Sequence, residues 1–433
     1  MTASLREPMQ RILSWIDARF PLTKLWEDQW GKYVAPKNFN FWYYFGSLAA
    51  FVLVMQIVTG IFLAMTYKPD ATKAFESIEY MMRDVPAGWF IRYLHSTGAS
   101  AFFVVVYLHM FRGLLYGSYR KPRELLWIIG CCLYLALMAE AFFGYLLPWG
   151  QMSYWGAQVI VNLFSTVPYI GDGLAVWIRG DYTISDVTLN RFLAFHVAAL
   201  PLVLIILAAI HLMALHEVGS NNPDGVEIKK QPTDPKTGIY LDGIYSHPYY
   251  TIKDLVGVVF FLIVFSIVVF FLPDVGGYFL EANNFIPADP LKTPVHIAPV
   301  WYFTPYYAML RAIPSFFNSQ FWGVLVMGAG VLAFFFLPWL DRGAVKSIRY
   351  RGTNYKAWLA VFVFCFLVLG YLGTVPVTVW GQFSGAWTDA LDTKDKATWV
   401  ARLLTLFYFL FFVLMPWYSA RDRTKPVPER VRW

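Results

Sequence analysis

Residues 92–112 read RYLHSTGASAFFVVVYLHMFR, and residues 191–211 read RFLAFHVAALPLVLIILAAIH. Each apolar stretch carries two histidines: His95 and His109, fourteen positions apart, and His196 and His211, fifteen apart. Fourteen residues of helix turn through about 1400°, roughly 40° short of four turns, and climb about 21 Å. His95 and His109 therefore share one face and sit near opposite surfaces of a hydrocarbon core about 30 Å thick. A second helix with matching spacing meets them at both levels, so that two imidazoles face each other across a gap at each depth. A lone histidine on an apolar helix is usually a hydrogen-bonded interior residue. Four of the seven histidines, paired at near-equal spacing, point instead to metal ligation.

The chain has 433 residues, 58% hydrophobic, 19% aromatic and only 15% charged, with a mean hydropathy of +0.48. Such a composition, with several apolar runs of about twenty residues, describes a polytopic all-α membrane protein. The net charge of +7 reflects basic loops on one side of a bilayer, and no basic tract indicates nucleic-acid binding. Cys131, Cys132 and Cys365 all lie in apolar segments and form neither a zinc spacing nor a covalent haem-attachment motif. The first forty residues show no secretory signal core.

Along the chain, Met9, Ile12, Leu13, Ile16 and Phe20 give residues 8–20 the period of an amphipathic helix at the membrane interface. Spans follow at about 40–66, 88–112 and 125–147. Gly46 and Gly60, and Gly130 and Gly144, are again fourteen apart, which reads as two flat ligands pressed against the first and third spans. The stretch 152–178 is broken by Pro168, Gly171 and Gly173. Making it a span would scramble the distribution of basic residues. Leaving it on the surface puts most of the 35 lysines and arginines on the side of the N-terminus, with further spans near 187–216, 255–272, 320–340, 357–376 and 399–418. Eight transmembrane helices result, with both termini on the cytoplasmic side and the first four forming a four-helix bundle around the histidines. The organisation is a segment 1–39, a bundle 40–220 and a C-terminal part 221–433 whose proline-rich loop 273–318 roofs the outer side. Topology pairs His95 with His196 outside and His109 with His211 inside. The extra residue in the fourth span rotates His211 by about 100°, and Pro201 marks where a bulge would absorb it.

Four further stretches carry a resemblance: Gln56-Ile-Val-Thr-Gly60, Leu147-Pro-Trp-Gly-Gln-Met-Ser153, His216-Glu-Val-Gly-Ser-Asn-Asn-Pro223 and His247-Pro-Tyr-Tyr-Thr-Ile-Lys-Asp254. With the four histidines, they make the chain similar over essentially its whole length to cytochrome b of the respiratory ubiquinol–cytochrome c reductase, in its proteobacterial form. The resemblance implies two non-covalent b haems. The low-potential outer haem would sit between His95 and His196, and the high-potential inner haem between His109 and His211. It implies haem-propionate contacts at Arg92, Arg112 and Arg191. It implies ubiquinol oxidation at an outer site (Phe142, Tyr145, Gly156, Pro299, Trp301, Tyr302 and Tyr307). One electron passes there to a Rieske-type iron–sulfur protein and a membrane-anchored c-type cytochrome. The other crosses through the haems to reduce ubiquinone at an inner site (His216, Ser220, Lys253 and Asp254), a Q cycle that translocates protons. A homodimeric complex in the bacterial inner membrane is implied too.

One departure from the family is plain. Its outer-site motif has a carboxylate between the proline and the tryptophan, and this chain has Pro299-Val300-Trp301-Tyr302. Valine accepts no proton, so a carboxylate relay is either unnecessary or comes from elsewhere, with Glu281 and Asp289 in the same loop as the candidates. Two other readings compete: a haem-free transporter with a histidine proton relay, and a di-haem anchor of another quinone-linked dehydrogenase. Bound b-type haem separates the first, and the eight-span length argues against the second.

Overall fold

The computed structural model describes residues 3–315, 319–374 and 393–432. The last two positions of the expected span 357–376, and the end of the expected loop 273–318, fall outside these. Helices α1 (Ala3–Asp17) and α2 (Leu22–Trp26) precede the first span, α3 (Tyr44–Ala64). Helix α4 (Ala74–Arg83) leads into α5 (Gly88–Tyr116), and α6 (Glu124–Leu146) returns. Helices α7 (Gln151–Ser165) and α8 (Gly171–Arg179) follow. The fourth span joins α9 (Asp186–Ala194), a π-helical turn at Phe195–Ala199 and α10 (Leu200–Val218). The second half contains α11 (Ser246–Phe271), α12 (Thr304–Ala312), α13 (Phe321–Leu332) running on to α14 (Leu337–Leu340), α15 (Thr353–Thr374), α16 (Thr393–Val413) and α17 (Met415–Ala420).

Among the described residues, seven helical stretches are long and apolar enough to cross a membrane, and a shorter apolar one, Thr398–Val413, makes the eighth. The expected fourth span widens to Asp186–Val218. Helix α7 is only 15 residues long, about 22 Å against a core of about 30 Å, and α8 is shorter still, so the stretch 152–178 does not cross. The spans keep apolar side chains on their outer faces, such as Val54, Val58 and Ile61 on α3 and Val256, Val259 and Ile263 on α11. In water this would be a defect. In lipid it is the solvent-facing surface.

Parity supports eight crossings. Lys37, just before the first span, and Arg430, in the tail, both pair with the buried Asp242, at 3.0 and 2.8 Å. Asn38 Nδ2 and the Arg432 amide both donate to Asp224 Oδ2. The two ends of the described chain thus meet at one end of the bundle, as an even number of spans requires. The N-terminal helix begins before the expected boundary, at Ala3. Met9, Ile12 and Leu13 stay exposed, which suits a helix lying in the bilayer interface.

At the other end, the proline-rich loop lies on α7. Gln151 N–H donates to Ile286 O, Ala288 N–H to Trp149 O, and Asn284 Oδ1 accepts from the Ser153 amide. Irregular backbone at membrane depth is satisfied by such contacts. The loop is not wholly irregular, because Thr304–Ala312 forms α12 with Ala308 and Met309 fully buried against α15. Proline at the start of α12 costs nothing there, since the first-turn amides have no helical partner.

Candidate functional site

Helix α3 packs along α5, and α6 along α10. The four glycines make both pairings close. A Cβ on Gly60 would lie 3.2 Å from His95 Cε1, one on Gly46 3.2 Å from His109 Cε1, and one on Gly130 3.2 Å from His211 Cε1. On Gly144 it would collide with the His196 ring. The glycine spacing predicts a flat ligand against these backbones. The structure places an imidazole edge against each of them.

His95 faces His196 with ring centres 6.1 Å apart, and His109 faces His211 at 6.4 Å. An imidazole nitrogen binds a transition metal at about 2.0 Å, with the ring centre about 1.1 Å behind it, so two rings gripping one ion stand roughly 6 Å apart. Both pairs match. The tautomers of the outer pair are set as well. Thr59 donates its hydroxyl to Met55 O, so its oxygen accepts from His95 Nδ1 at 2.9 Å. Glu140 O accepts from His196 Nδ1 at 3.0 Å. Nε2 of each outer ring thus keeps its lone pair for a metal. Arg112 lies over the Tyr43 ring with its Nε buried and unbonded, one turn from His109, where an acidic substituent of a bound group would meet it.

The unequal histidine spacing is resolved at the expected place. Phe195–Ala199 is a π turn, closed by the Leu200 amide donating to Phe195 O five residues back. A π turn takes up one additional residue, which cancels the ~100° error of a fifteen-residue separation. Pro201 follows directly and has no amide to give to an α-helical bond.

The other two arginines take different places. Arg92 lines a cavity of about 270 Å³ between α4, α5 and the loop at Leu280–Phe285. Arg191 does not join the histidines: it is exposed and donates to Trp177 O beside Gly180, so it ties α9 to the surface helix α8.

Of the outer residues, Tyr145 and Glu281 are joined. The tyrosine hydroxyl donates to Glu281 Oε2 at 2.9 Å, and Gly156 leaves room for the Tyr145 ring. Burial raises the Glu281 carboxyl to about 7, against the opposing pull of Tyr145. Tyr302 stacks on Phe103 at 3.8 Å, and burial together with the Glu281 charge raises its hydroxyl. Trp301 Nε1 donates to Ser100, and its ring borders a separate apolar cavity of about 510 Å³ that Tyr145 and Glu281 do not line. Pro299 precedes Val300, which is buried in the main core. Tyr307 donates to Ile297 O and carries Arg311 over its ring. Phe142 packs on Phe143 and Phe192. Asp289 lies apart from this group: its carboxylate closes its own turn by accepting from the Leu291 amide.

At the inner end, His216 and Ser220 converge on Tyr33. The Tyr33 ring is 4.2 Å from the imidazole, and its hydroxyl is 2.9 Å from Ser220 Oγ. His216 Nδ1 is 2.6 Å from Gln29 Oε1, and Lys229 Nζ donates to His216 O. Asp254 faces the Ser47 hydroxyl of α3, while Lys253 sits over the Tyr249 ring. The two-stranded ladder of β1 (Val34–Pro36) and β2 (Gly243–Tyr245) brings Tyr33 here. Gln29, Tyr33 and Lys229 were not expected from the sequence. Glu140 was missed too, although an ionisable residue inside a span is a signal by itself.

A multi-pass helical bundle holding two stacked pairs of facing histidines defines a class of membrane electron carrier. Comparison with known proteins sharpens this. The family described as Cytochrome b/b6/petB matches residues 30–219, and Cytochrome b(C-terminal)/b6/petD matches residues 287–409. Cytochrome b of Allochromatium vinosum is 60% identical over 97% of this chain and 98% of its own length. That of Rhodospirillum rubrum is 43% identical over 97% and 96%. A solved hyperthermophilic respiratory complex III chain superposes with a TM-score of 0.81 at 36% identity, covering 94% of this chain and 98% of that one. The chain belongs to the cytochrome b family, of the respiratory complex III type.

Proposed function

We propose that this chain is the quinone-handling subunit of a quinol–cytochrome c oxidoreductase in a bacterial inner membrane, oxidising ubiquinol at the outer end and reducing ubiquinone at the inner end in a Q cycle. The observation that carries this reading is the two facing imidazole pairs at two depths, 6.1 and 6.4 Å between ring centres. His95 and His196 would hold one haem b, and His109 and His211 a second, with Arg92 and Arg112 toward the propionates. Bound there, haem supplies a one-electron redox centre at each level.

The chain's own residues handle the protons. At the outer end, Glu281 is the base that takes a proton from a quinol hydroxyl, and the Tyr145 hydroxyl orients its carboxylate. Its raised pKa, about 7, matches the working pH, which is where a general base is most effective. Tyr302 lies within reach of the Glu281 charge, and Gly156 leaves room for the Tyr145 ring beside it. At the inner end, His216 and Asp254 would meet the two carbonyls of a quinone and deliver protons from the cytoplasmic side, with Ser220, Tyr33 and Lys253 shaping the pocket. An iron–sulfur protein of the Rieske type and a membrane-anchored c-type cytochrome would take the other electron, within a dimeric complex.

His216→Ala and Asp254→Asn test the inner site. Each slows reoxidation of the inner haem about tenfold or more in stopped-flow absorbance while quinol oxidation outside continues. Native reoxidation in both variants removes these residues from the site.

A further inference from the structure

Glu140 lies on α6, one turn before Gly144, inside an apolar span. His196 Nδ1 is 3.0 Å from its backbone oxygen and also 3.0 Å from its Oε1. The other carboxylate oxygen, Oε2, is buried with no hydrogen-bond partner. A polar group left in this state is costly, and in a membrane span it is normally functional. The quinone sites make no use of it.

The second imidazole pair serves as an internal control. Gly144 faces His196, and Gly130, fourteen residues earlier, faces His211. The residue four before Gly144 is Glu140, and the residue four before Gly130 is Leu126. The same local geometry therefore carries a carboxylate at the outer level and a hydrocarbon at the inner one. The backbone oxygen of Glu140 already fixes the ring's tautomer, so the side chain is not needed for that. What it adds is negative potential beside the ring, which makes Nε2 a stronger donor and stabilises positive charge on a metal held there.

We propose that Glu140 is a positioning residue that acts through His196 to lower the reduction potential of the outer centre relative to the inner one. An electron arriving from quinol at the outer end then moves downhill across the membrane. The inference rests on reading His95 and His196 as haem ligands.

The test is a redox titration of the haem absorption bands in the intact complex carrying Glu140→Gln, which keeps the backbone oxygen and removes only the charge. The outer component shifts toward the reduced form at least tenfold, upward by about 59 mV for one electron, and the inner component stays in place. Glu140→Leu, which copies the inner level, shifts it in the same direction and serves if the first variant assembles poorly. Both bands present with an unmoved outer potential overturn the proposal. Loss of the outer band in both variants also overturns it, since the carboxylate would then hold the group and not tune it. A native complex without haem at this pair defeats the underlying reading instead.

Discussion

Replacing His196 with leucine removes the outer b-type absorption component, leaves about half the haem per chain and abolishes quinol–cytochrome c turnover. Losing a residue that merely orients a metal ligand costs about 10–100-fold, and losing the ligand itself exceeds that. The inner pair, built on His109, His211, Gly46 and Gly130, shares none of these contacts and keeps its haem. Gly144→Val gives the same spectrum by another route, because its side chain would occupy the place of the His196 ring. Haem extraction and difference spectroscopy on membranes from each variant check this. Retention of both components in His196→Leu would move the outer ligand elsewhere.

Glu281→Gln lowers quinol oxidation by about 100-fold, at the lower end of what a general base contributes. The pH profile is the sharper readout. The base acts only when ionised, and its carboxyl is raised to about 7 by burial. In the native complex the rate therefore climbs with pH up to about 7 and levels above it. In Glu281→Gln that inflection disappears and the residual rate is flat. Asp289→Asn, whose carboxylate serves a local turn, keeps the native profile. A native rate and inflection in Glu281→Gln would leave the outer site without its proton acceptor.

How well each residue can be read from the sequence follows from how its position is fixed. The histidines and glycines lie within single helices, where a period of 3.6 determines the face, so the shared face is legible in the spacing, and the charge-derived topology supplies the pairing. The charge distribution likewise identifies Gln151–Ser165 and Gly171–Arg179 as surface helices, since crossing would put basic loops on both sides. Pro201 locates the irregular turn, although the proline alone does not say that the irregularity is a π turn at Phe195–Ala199. Arg191 and Asp289 take local partners that spacing does not show: both stand near helix or loop ends, where a partner is chosen by backbone direction and not by period. Tyr33 and Gln29 reach Ser220 and His216 across 187 residues of chain, through a short strand pairing with no strong pattern of its own. Glu281 is a candidate from chemistry alone, and its bond to Tyr145 comes from the loop folding back over α7.

The most direct test of the whole account is haem quantification combined with a redox titration of the purified native complex. The account predicts two b-type haems per chain with separate potentials, the outer below the inner, both reduced on addition of ubiquinol. A folded but colourless chain, or a single b-type component, would contradict it.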